Sequence, residues 1–234
     1  AGAPLVSGSA QEAPAMQLRL VYFPVRARAE AARMCMAYGG LEWQEETVQS
    51  FFGKPWPEAK AMAPFGHLPL LIVGRFTIPE TGAIVRYLAN LVNAKRPGFI
   101  PSDPVAAARC DAVFSAAEEL VAVNPIVNIY RGEDFASRKT AFLTALPAKL
   151  DNFARELGDQ PFFCGQDVTY ADFNVWHHLD NTRTLEPKAL DAHPSLAAFM
   201  AAVERLPGVA EYLAGRPDAV GIGQQPRLEP KAKM

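Results

Sequence analysis

The sequence contains little cysteine. Only three of its 234 residues are cysteines (Cys35, Cys110 and Cys164), and they lie far apart along the chain. An odd number of widely spaced cysteines does not form the disulfide framework that is typical of a small secreted domain. We therefore expect free thiols and a reducing compartment.

Long apolar runs and an excess of one charge are also absent. No apolar stretch approaches the ~20 residues that a membrane-spanning helix needs. The 23 Lys and Arg residues nearly balance the 25 Asp and Glu residues, which gives a net charge of −2. We therefore expect a soluble protein whose partners include neither nucleic acid nor a membrane.

Several catalytic patterns are missing as well. The sequence has no glycine-rich phosphate loop, no ordered Ser-His-Asp set and no basic residues interleaved with aromatics. His177 and His178 are adjacent and so point to different faces of a helix, while Asp172 is positioned to cap that helix. We therefore expect no metal site. Cys35, between two methionines of a helical pattern, is expected in the core.

Half of the residues are hydrophobic, enough for two domains. The first part of the chain alternates strand and helix patterns, with a hairpin signal at Gly74-Arg75. It predicts a strand at 17–23, a helix at 26–38, a strand at 41–48, a hairpin of 68–73 with 76–78, and a helix at 81–92. This order, β-α-β then β-β-α, is the thioredoxin-like arrangement.

The second part of the chain is helical throughout. We expect helices at about 104–131, 135–157, 169–182 and 194–206, and a short one at 208–214. Thr169 and Asp172 form a capping box at one helix start. The predicted organisation is a flexible arm or added remnant (1–15), a thioredoxin-like domain (16–93), a linker (94–103), an all-helical domain (104–214) and an irregular tail (215–234).

Two segments carry the functional signal. Tyr22-Phe23-Pro24 ends the first strand, at the rim where open α/β sheets bind ligands. Residues 65–71 (Phe-Gly-His-Leu-Pro-Leu-Leu) are followed by Glu80-Thr81 at the start of a helix. Together they resemble the glutathione-binding half of a cytosolic glutathione transferase of the tyrosine type, nearest to the pi and sigma-like classes. The resemblance runs in order over roughly residues 17–214.

The resemblance implies roles for two catalytic residues. A thiol such as that of glutathione has a pKa of about 8.5 and is mostly unreactive at neutral pH. Tyr22 matches the family's catalytic tyrosine, whose O–H donates a hydrogen bond to the sulfur and favours the thiolate. Arg28 matches an arginine that adds positive potential near the thiol. Ala27 stands where the family usually has glycine.

The resemblance also implies which residues hold the peptide part of glutathione. Leu68, before a cis Pro69, pairs through its backbone with the cysteinyl unit. Thr81, at a helix N-terminus, receives the γ-glutamyl carboxylate, and Glu80 takes the ammonium. His67 stands where the family commonly has glutamine.

Three further residues match binding positions of the family. Trp56 and Lys60 resemble the Trp-x-x-x-Lys element that holds the glycyl carboxylate. Glu119 lies near an acidic residue that reaches across a dimer to the partner's γ-glutamyl group, although Asp111 and Glu118 are close enough in sequence to take this role instead.

The remaining positions concern the second substrate and assembly. Phe23, Val25 and Tyr130 are candidates for the apolar pocket that receives the electrophile. Phe65 matches an aromatic key that inserts into the neighbouring subunit, so a homodimer is expected.

The resemblance thus implies a cytoplasmic detoxification enzyme that attacks hydrophobic electrophiles with the glutathione thiolate, with glutathione as co-substrate and no cofactor. Two alternatives stay open: a glutathione-dependent isomerase like prostaglandin D synthase, or a non-catalytic ligand-binding or structural relative. Fold alone does not separate them, because function resides in the site.

Overall fold

The computed structural model describes residues 17–217 and residue 222. The arm expected at residues 1–15 lies outside the described residues, as does the expected tail from residue 218 onward, apart from Ile222. The first half of the described chain contains β1 (Leu18–Val21), α1 (Glu30–Tyr38), β2 (Trp43–Glu46), α2 (Val48–Phe52), α3 (Trp56–Ala59), β3 (Leu70–Val73), β4 (Phe76–Pro79) and α4 (Thr81–Lys95).

The strands form one mixed sheet in the order β2-β1-β3-β4. β1 pairs in parallel with β2 and antiparallel with β3, and β3 pairs antiparallel with β4. Gly74, in the β3–β4 turn, has a φ of +57°, which glycine adopts without steric cost. This confirms the predicted thioredoxin-like arrangement.

Burial of the apolar positions explains the sheet and its helices. All of β3 is buried, as are Leu18, Leu20 and Val21 of β1. α1 and α4 pack against each other, and α4 also contacts β3 and β4. The core of this half therefore lies between the sheet and these two helices, and it includes Tyr22, just after β1.

The second half is helical, as predicted. It contains α5 (Pro104–Ala116), α6 (Val123–Asn128), α7 (Gly132–Leu157), α8 (Tyr170–Leu185), α9 (Pro194–Glu204) and α10 (Val209–Gly215). Nearly every residue of α8 is buried, and this helix contacts α5, α6 and α9 as well as α1 of the first half. The predicted capping box is present, because the Asp172 carboxylate accepts the Thr169 N–H at 2.7 Å. In the described ranges, no helix has both the length and the apolar character to cross a membrane.

One predicted helix is wrong. Residues 104–131 form α5, a 3-10 turn at Ala117–Leu120 and then α6. Pro125 has no backbone N–H, and in a continuous helix its ring would collide with the carbonyl of Val121. Pro125 instead lies in the first turn of α6, and the 3-10 turn between α5 and α6 carries Glu118 and Glu119.

Candidate active site

Tyr22 follows directly after β1 and is 7% exposed. Its main-chain N–H donates to the Glu46 carbonyl at 3.0 Å, which fixes the backbone beside β2. Its hydroxyl oxygen accepts the main-chain N–H of Arg28 at 3.2 Å. Because that contact uses a lone pair of the oxygen, the hydroxyl proton is left to donate to a ligand atom.

The protonation state of Tyr22 suits a donor. Burial raises its pKa above the ordinary value of 10.0, although the Arg28 N–H and the charges of Arg28 and Arg33 oppose that effect. The phenol is therefore neutral across the physiological pH range. It can donate a hydrogen bond to an anion, and it does not act as a base there.

Arg28 connects three parts of the site. It lies in a 3-10 turn, Ala27–Ala29, and its carbonyl accepts the Thr81 hydroxyl at 3.3 Å. Its guanidinium forms an ion pair with Glu118 at 2.9 Å. Ala27 has a φ of +34°, the region that favours glycine, which is a physical reason for the glycine common at that position.

The peptide bond between Leu68 and Pro69 is cis, just before β3. Within the described chain, neither the N–H nor the C=O of Leu68 takes part in a backbone–backbone hydrogen bond. Glu80 caps α4 with a φ of +69°, and its carboxylate lies 3.7 Å from the imidazole of His67. Both side chains are more than half exposed, so this edge is accessible to a ligand.

Trp56 and Lys60 lie one helical turn apart, at the start and just beyond the end of α3. Trp56 packs edge-on against Phe23 with ring centroids 5.6 Å apart, and Phe23 packs against Tyr22 at 5.4 Å. This aromatic row links Trp56 to Tyr22 through Phe23. Lys60 is exposed.

A cleft of about 490 Å³ opens beside Tyr22. Phe23 and Val25, the predicted electrophile-pocket residues, line it together with Asn128 of α6 and residues of β2 and α10. Tyr130 is not among its lining residues; its ring lies under the Arg138 guanidinium, 4.2 Å from the ring centroid.

Sequence reasoning missed the charged cluster that lines this cleft. Glu30 is fully buried and pairs with Arg216 at 2.7 Å and with Arg33 at 3.3 Å. Arg216 also pairs with Asp180 at 2.6 Å, and Arg33 pairs with Glu45 at 2.8 Å. Glu30 and Arg216 are 186 positions apart, so no local pattern links them.

Phe65 and Glu119 lie away from the cleft beside Tyr22. Phe65 is 76% exposed on a turn at Pro64–Gly66 and has a φ of +56°. Glu119 is exposed and pairs with Lys149 at 3.0 Å. It lines a second cleft, of about 450 Å³, between α5 and α7.

In the described part of the chain, no group of three or more His, Cys, Asp or Glu side chains is arranged to hold a metal ion. The buried rings of His177 and His178 have centroids 5.1 Å apart. Asp172 is engaged in the capping box.

Comparisons with known proteins agree in family over both halves of the chain. Residues 16–90 match the family model "Glutathione S-transferase, N-terminal domain", and residues 122–216 match "Glutathione S-transferase, C-terminal domain". The chain is 31% identical over 201 residues to hematopoietic prostaglandin D synthase of Gallus gallus, covering 85% of this chain and 96% of that protein. It is 32% identical over 208 residues to glutathione S-transferase Mu 2 of Mus musculus, covering 85% and 91%.

Solved structures give the same result. Rat hPGDS complexed with a quinoline superimposes with a TM-score of 0.75 at 26% identity, covering 87% of this chain and 98% of that one. The glutathione S-transferase from Ascaris lumbricoides, with a TM-score of 0.73 at 24% identity, shares the fold.

Proposed function

This chain belongs to the glutathione S-transferase family and is an enzyme of that family, and we propose that it transfers the glutathione thiolate to hydrophobic electrophiles, with the Tyr22 hydroxyl stabilising the thiolate. The observation that carries this proposal is the orientation of the Tyr22 hydroxyl, whose oxygen accepts the Arg28 N–H and whose proton is left for a ligand. The raised pKa of Tyr22 keeps that proton in place.

The peptide part of glutathione is held along the edge from Trp56 to Thr81. The unpaired backbone of Leu68 suits the cysteinyl unit, which binds in the manner of an added strand. The N-terminus of α4 and the Thr81 backbone suit the γ-glutamyl carboxylate, and the Glu80 carboxylate suits the ammonium. Trp56 and Lys60 suit the glycyl carboxylate. His67 lies along the same edge, from Trp56 to Thr81, which we call the strip.

The reaction follows from these positions. The glutathione thiol loses its proton to solvent, and the resulting anion accepts the Tyr22 hydrogen bond while Arg28 contributes positive potential. The sulfur then attacks an electrophilic carbon that is held in the cleft lined by Phe23 and Val25. With an aryl halide, the carbon–sulfur bond forms and the halide leaves. We propose that glutathione is the only co-substrate and that no other cofactor takes part.

We also propose a homodimer in the cytosol. The exposed aromatic ring of Phe65 fits the second cleft of a partner copy, which has apolar walls from Val113, Phe153 and Phe163. Phe65 lies two residues before His67. Docking of Phe65 from one copy would therefore bring the glutathione-binding edge of that copy close to Glu119 of the other copy, because Glu119 borders the cleft that Phe65 enters. The three free cysteines suit a reducing compartment.

The test is a steady-state assay of conjugation with an activated aryl halide, together with calorimetric titration of glutathione. Lys60→Ala removes a charged contact, so we expect the glutathione KM to rise about 10-fold with little change in kcat. Lys54→Ala, an exposed lysine outside the strip, is the matched control and leaves KM unchanged. An absence of glutathione binding by the wild-type chain would overturn the proposal.

A glutathione-dependent isomerase is the second candidate, because two of the similar proteins are prostaglandin D synthases. Glutathione would then bind as proposed, but the aryl halide would not react, and a prostaglandin endoperoxide would be isomerised. A non-catalytic relative would do neither. The contacts that link Trp56 and Thr81 to Tyr22, through Phe23 and Arg28, support a catalytic protein over that third alternative.

A further inference from the structure

Two asparagines that the proposed reaction does not use line the cleft beside Tyr22. Asn128 is the last residue of α6, Asn181 lies on α8, and both side chains are buried. They border the same cleft as Phe23 and Val25. A cleft of about 490 Å³ has the size that accommodates a ligand larger than a single aromatic ring. A substrate that fills it therefore contacts both the apolar residues and the two asparagines.

The side-chain amide of Asn128 has a fixed orientation. Its Nδ2 donates to the main-chain carbonyl of Asn124 at 2.8 Å. Because a carbonyl only accepts hydrogen bonds, the amide nitrogen of Asn128, and not its oxygen, must face it. The Oδ1 atom of Asn128 lies on the other branch of the amide, and no donor among residues 17–217 reaches it. It is not sealed from solvent either, so it is available to a ligand in the cleft.

Asn181 is held by the same neighbour. Its Nδ2 donates to Oδ1 of Asn124 at 2.8 Å and lies 3.4 Å from Nε2 of His177. In the part of the chain that the structure describes, Oδ1 of Asn181 likewise has no donor, and it too is not sealed from solvent. Asn124 therefore joins the two asparagines, and the wall formed by α6 and α8 offers two hydrogen-bond acceptors to the cleft.

The charged side chains of the cleft already have partners. The ion pairs are Arg19–Glu46, Arg26–Asp180, Arg33–Glu45 and Arg216–Glu30, and the Glu211 carboxylate accepts the Gly208 N–H. A charged ligand group would find no free counter-charge in this cleft, and burying a charge without a partner is costly. The group that suits the two amide oxygens is therefore an uncharged hydrogen-bond donor, a hydroxyl or an amide N–H.

We propose that Asn128 and Asn181 form a polar subsite of the cleft, which binds a hydroxyl or an amide N–H of the electrophile away from its reacting carbon. The inference rests on the proposed function, because it takes the electrophile to occupy this cleft. It narrows the substrate class to electrophiles that combine an apolar body with an uncharged hydrogen-bond donor. A substrate without that donor is selected against, because its apolar atoms strip water from the amide oxygens and leave them unpaired.

The test compares two enones of matched shape in the glutathione conjugation assay. They are benzalacetones with a para-hydroxymethyl or a para-ethyl group, so a hydroxyl in one replaces a methyl in the other. After division by the uncatalysed rates, kcat/KM of the wild type should be about 10-fold higher for the hydroxymethyl compound. Asn128→Leu should abolish or reverse this preference, because leucine has a similar volume and no acceptor.

Asn90→Leu is the matched control. Asn90 is exposed on α4 and does not line the cleft. Its Nδ2 donates to the Arg86 carbonyl at 2.8 Å, four residues back along the helix, as that of Asn128 does to Asn124. This variant should keep the wild-type preference. Because the preference is a ratio of two rates on one protein, incomplete folding of a variant lowers both rates equally and leaves the ratio unchanged.

Calorimetric titration with the saturated, unreactive ketones of the same pair separates this inference from the proposed function. The wild type should bind the hydroxymethyl ketone about 10-fold more tightly than the ethyl ketone, and Asn128→Leu should not. Equal binding of the two ketones by the wild type, or a preference that survives in Asn128→Leu, would overturn the subsite. An intact binding preference without any conjugation would support the subsite and overturn the proposed function alone.

Discussion

The main-chain N–H of Arg28 donates to the hydroxyl oxygen of Tyr22 at 3.2 Å, across a turn of only six residues. This contact fixes the position of the phenol oxygen and leaves its proton available to another acceptor. The Arg28 carbonyl also accepts the Thr81 hydroxyl. The backbone of Arg28 therefore links Tyr22 to Thr81, the two residues proposed to hold the thiolate and the γ-glutamyl carboxylate.

Glu118 should stabilise the fold in a pH-dependent way. Burial raises its pKa, but the nearby His178 ring and the Arg28 guanidinium outweigh burial and lower the pKa to about 2 from 4.5. A carboxyl group with a lowered folded-state pKa stabilises above its unfolded pKa, and the stabilisation is lost as the pH falls from 4.5 toward 2. The Arg28 and Glu118 side chains are 46% and 37% exposed, so after solvent screening we expect about 1 kcal/mol.

The measurement is urea unfolding of the wild type and Glu118→Gln at several pH values. The difference in free energy of unfolding should be present at pH 7 and vanish near pH 2. A difference that stays constant across this range would mean that the ion pair does not contribute.

The capping box should be a major local determinant of stability. Asp172 is fully buried and accepts the N–H groups of Phe163 at 2.9 Å and Thr169 at 2.7 Å. Asp172→Ala leaves both donors buried without an acceptor, so we expect a loss of about 2–4 kcal/mol. Thermal and urea unfolding at pH 7.5 measure it. Asp167→Ala, an exposed aspartate in the same loop, should change stability by less than about 0.5 kcal/mol; equal losses in the two variants would contradict this role.

Phe65 should control assembly. Its ring is 76% exposed in the single chain, and the proposed dimer buries it. We expect Phe65→Ala to weaken dimerisation by about 30- to 700-fold, since removing a central aromatic anchor costs about 2–4 kcal/mol. Sedimentation velocity over a concentration series measures this. Phe76→Ala removes another exposed phenylalanine, 61% exposed on β4, and should leave the dimer intact; a monomeric wild type would refute the proposed assembly.

Local patterns in the sequence predicted the elements that depend on near neighbours. The Gly74-Arg75 turn, the Thr169–Asp172 box and the strand that ends just before Tyr22 all involve residues a few positions apart. Pro125 also favours a break, because a proline beyond the first turn of a helix removes a backbone hydrogen bond, although α7 continues through Pro147. The helical pattern on both sides of Pro125 does not reveal this break.

Long-range pairs could not be predicted in this way. Glu30 and Arg216 are joined only when α10 packs against α1, and nothing near either residue indicates the partner. Likewise, the pattern did not separate Glu118 from Glu119. The structure does, because the 3-10 turn directs Glu118 to Arg28 and Glu119 to Lys149.

The most direct test of the central claim is the pH dependence of kcat/KM for conjugation of an activated aryl halide, in the wild type and in Tyr22→Phe. If the Tyr22 hydroxyl stabilises the thiolate, kcat/KM of the wild type should fall only when the pH is well below 7. The kcat/KM of the variant should already fall as the pH drops below the free-thiol pKa of about 8.5. A shift of about two pH units corresponds to a loss of about 100-fold at pH 6.5, with recovery above pH 9 and little change in glutathione affinity. Overlapping profiles for the two proteins would contradict the proposed role of Tyr22.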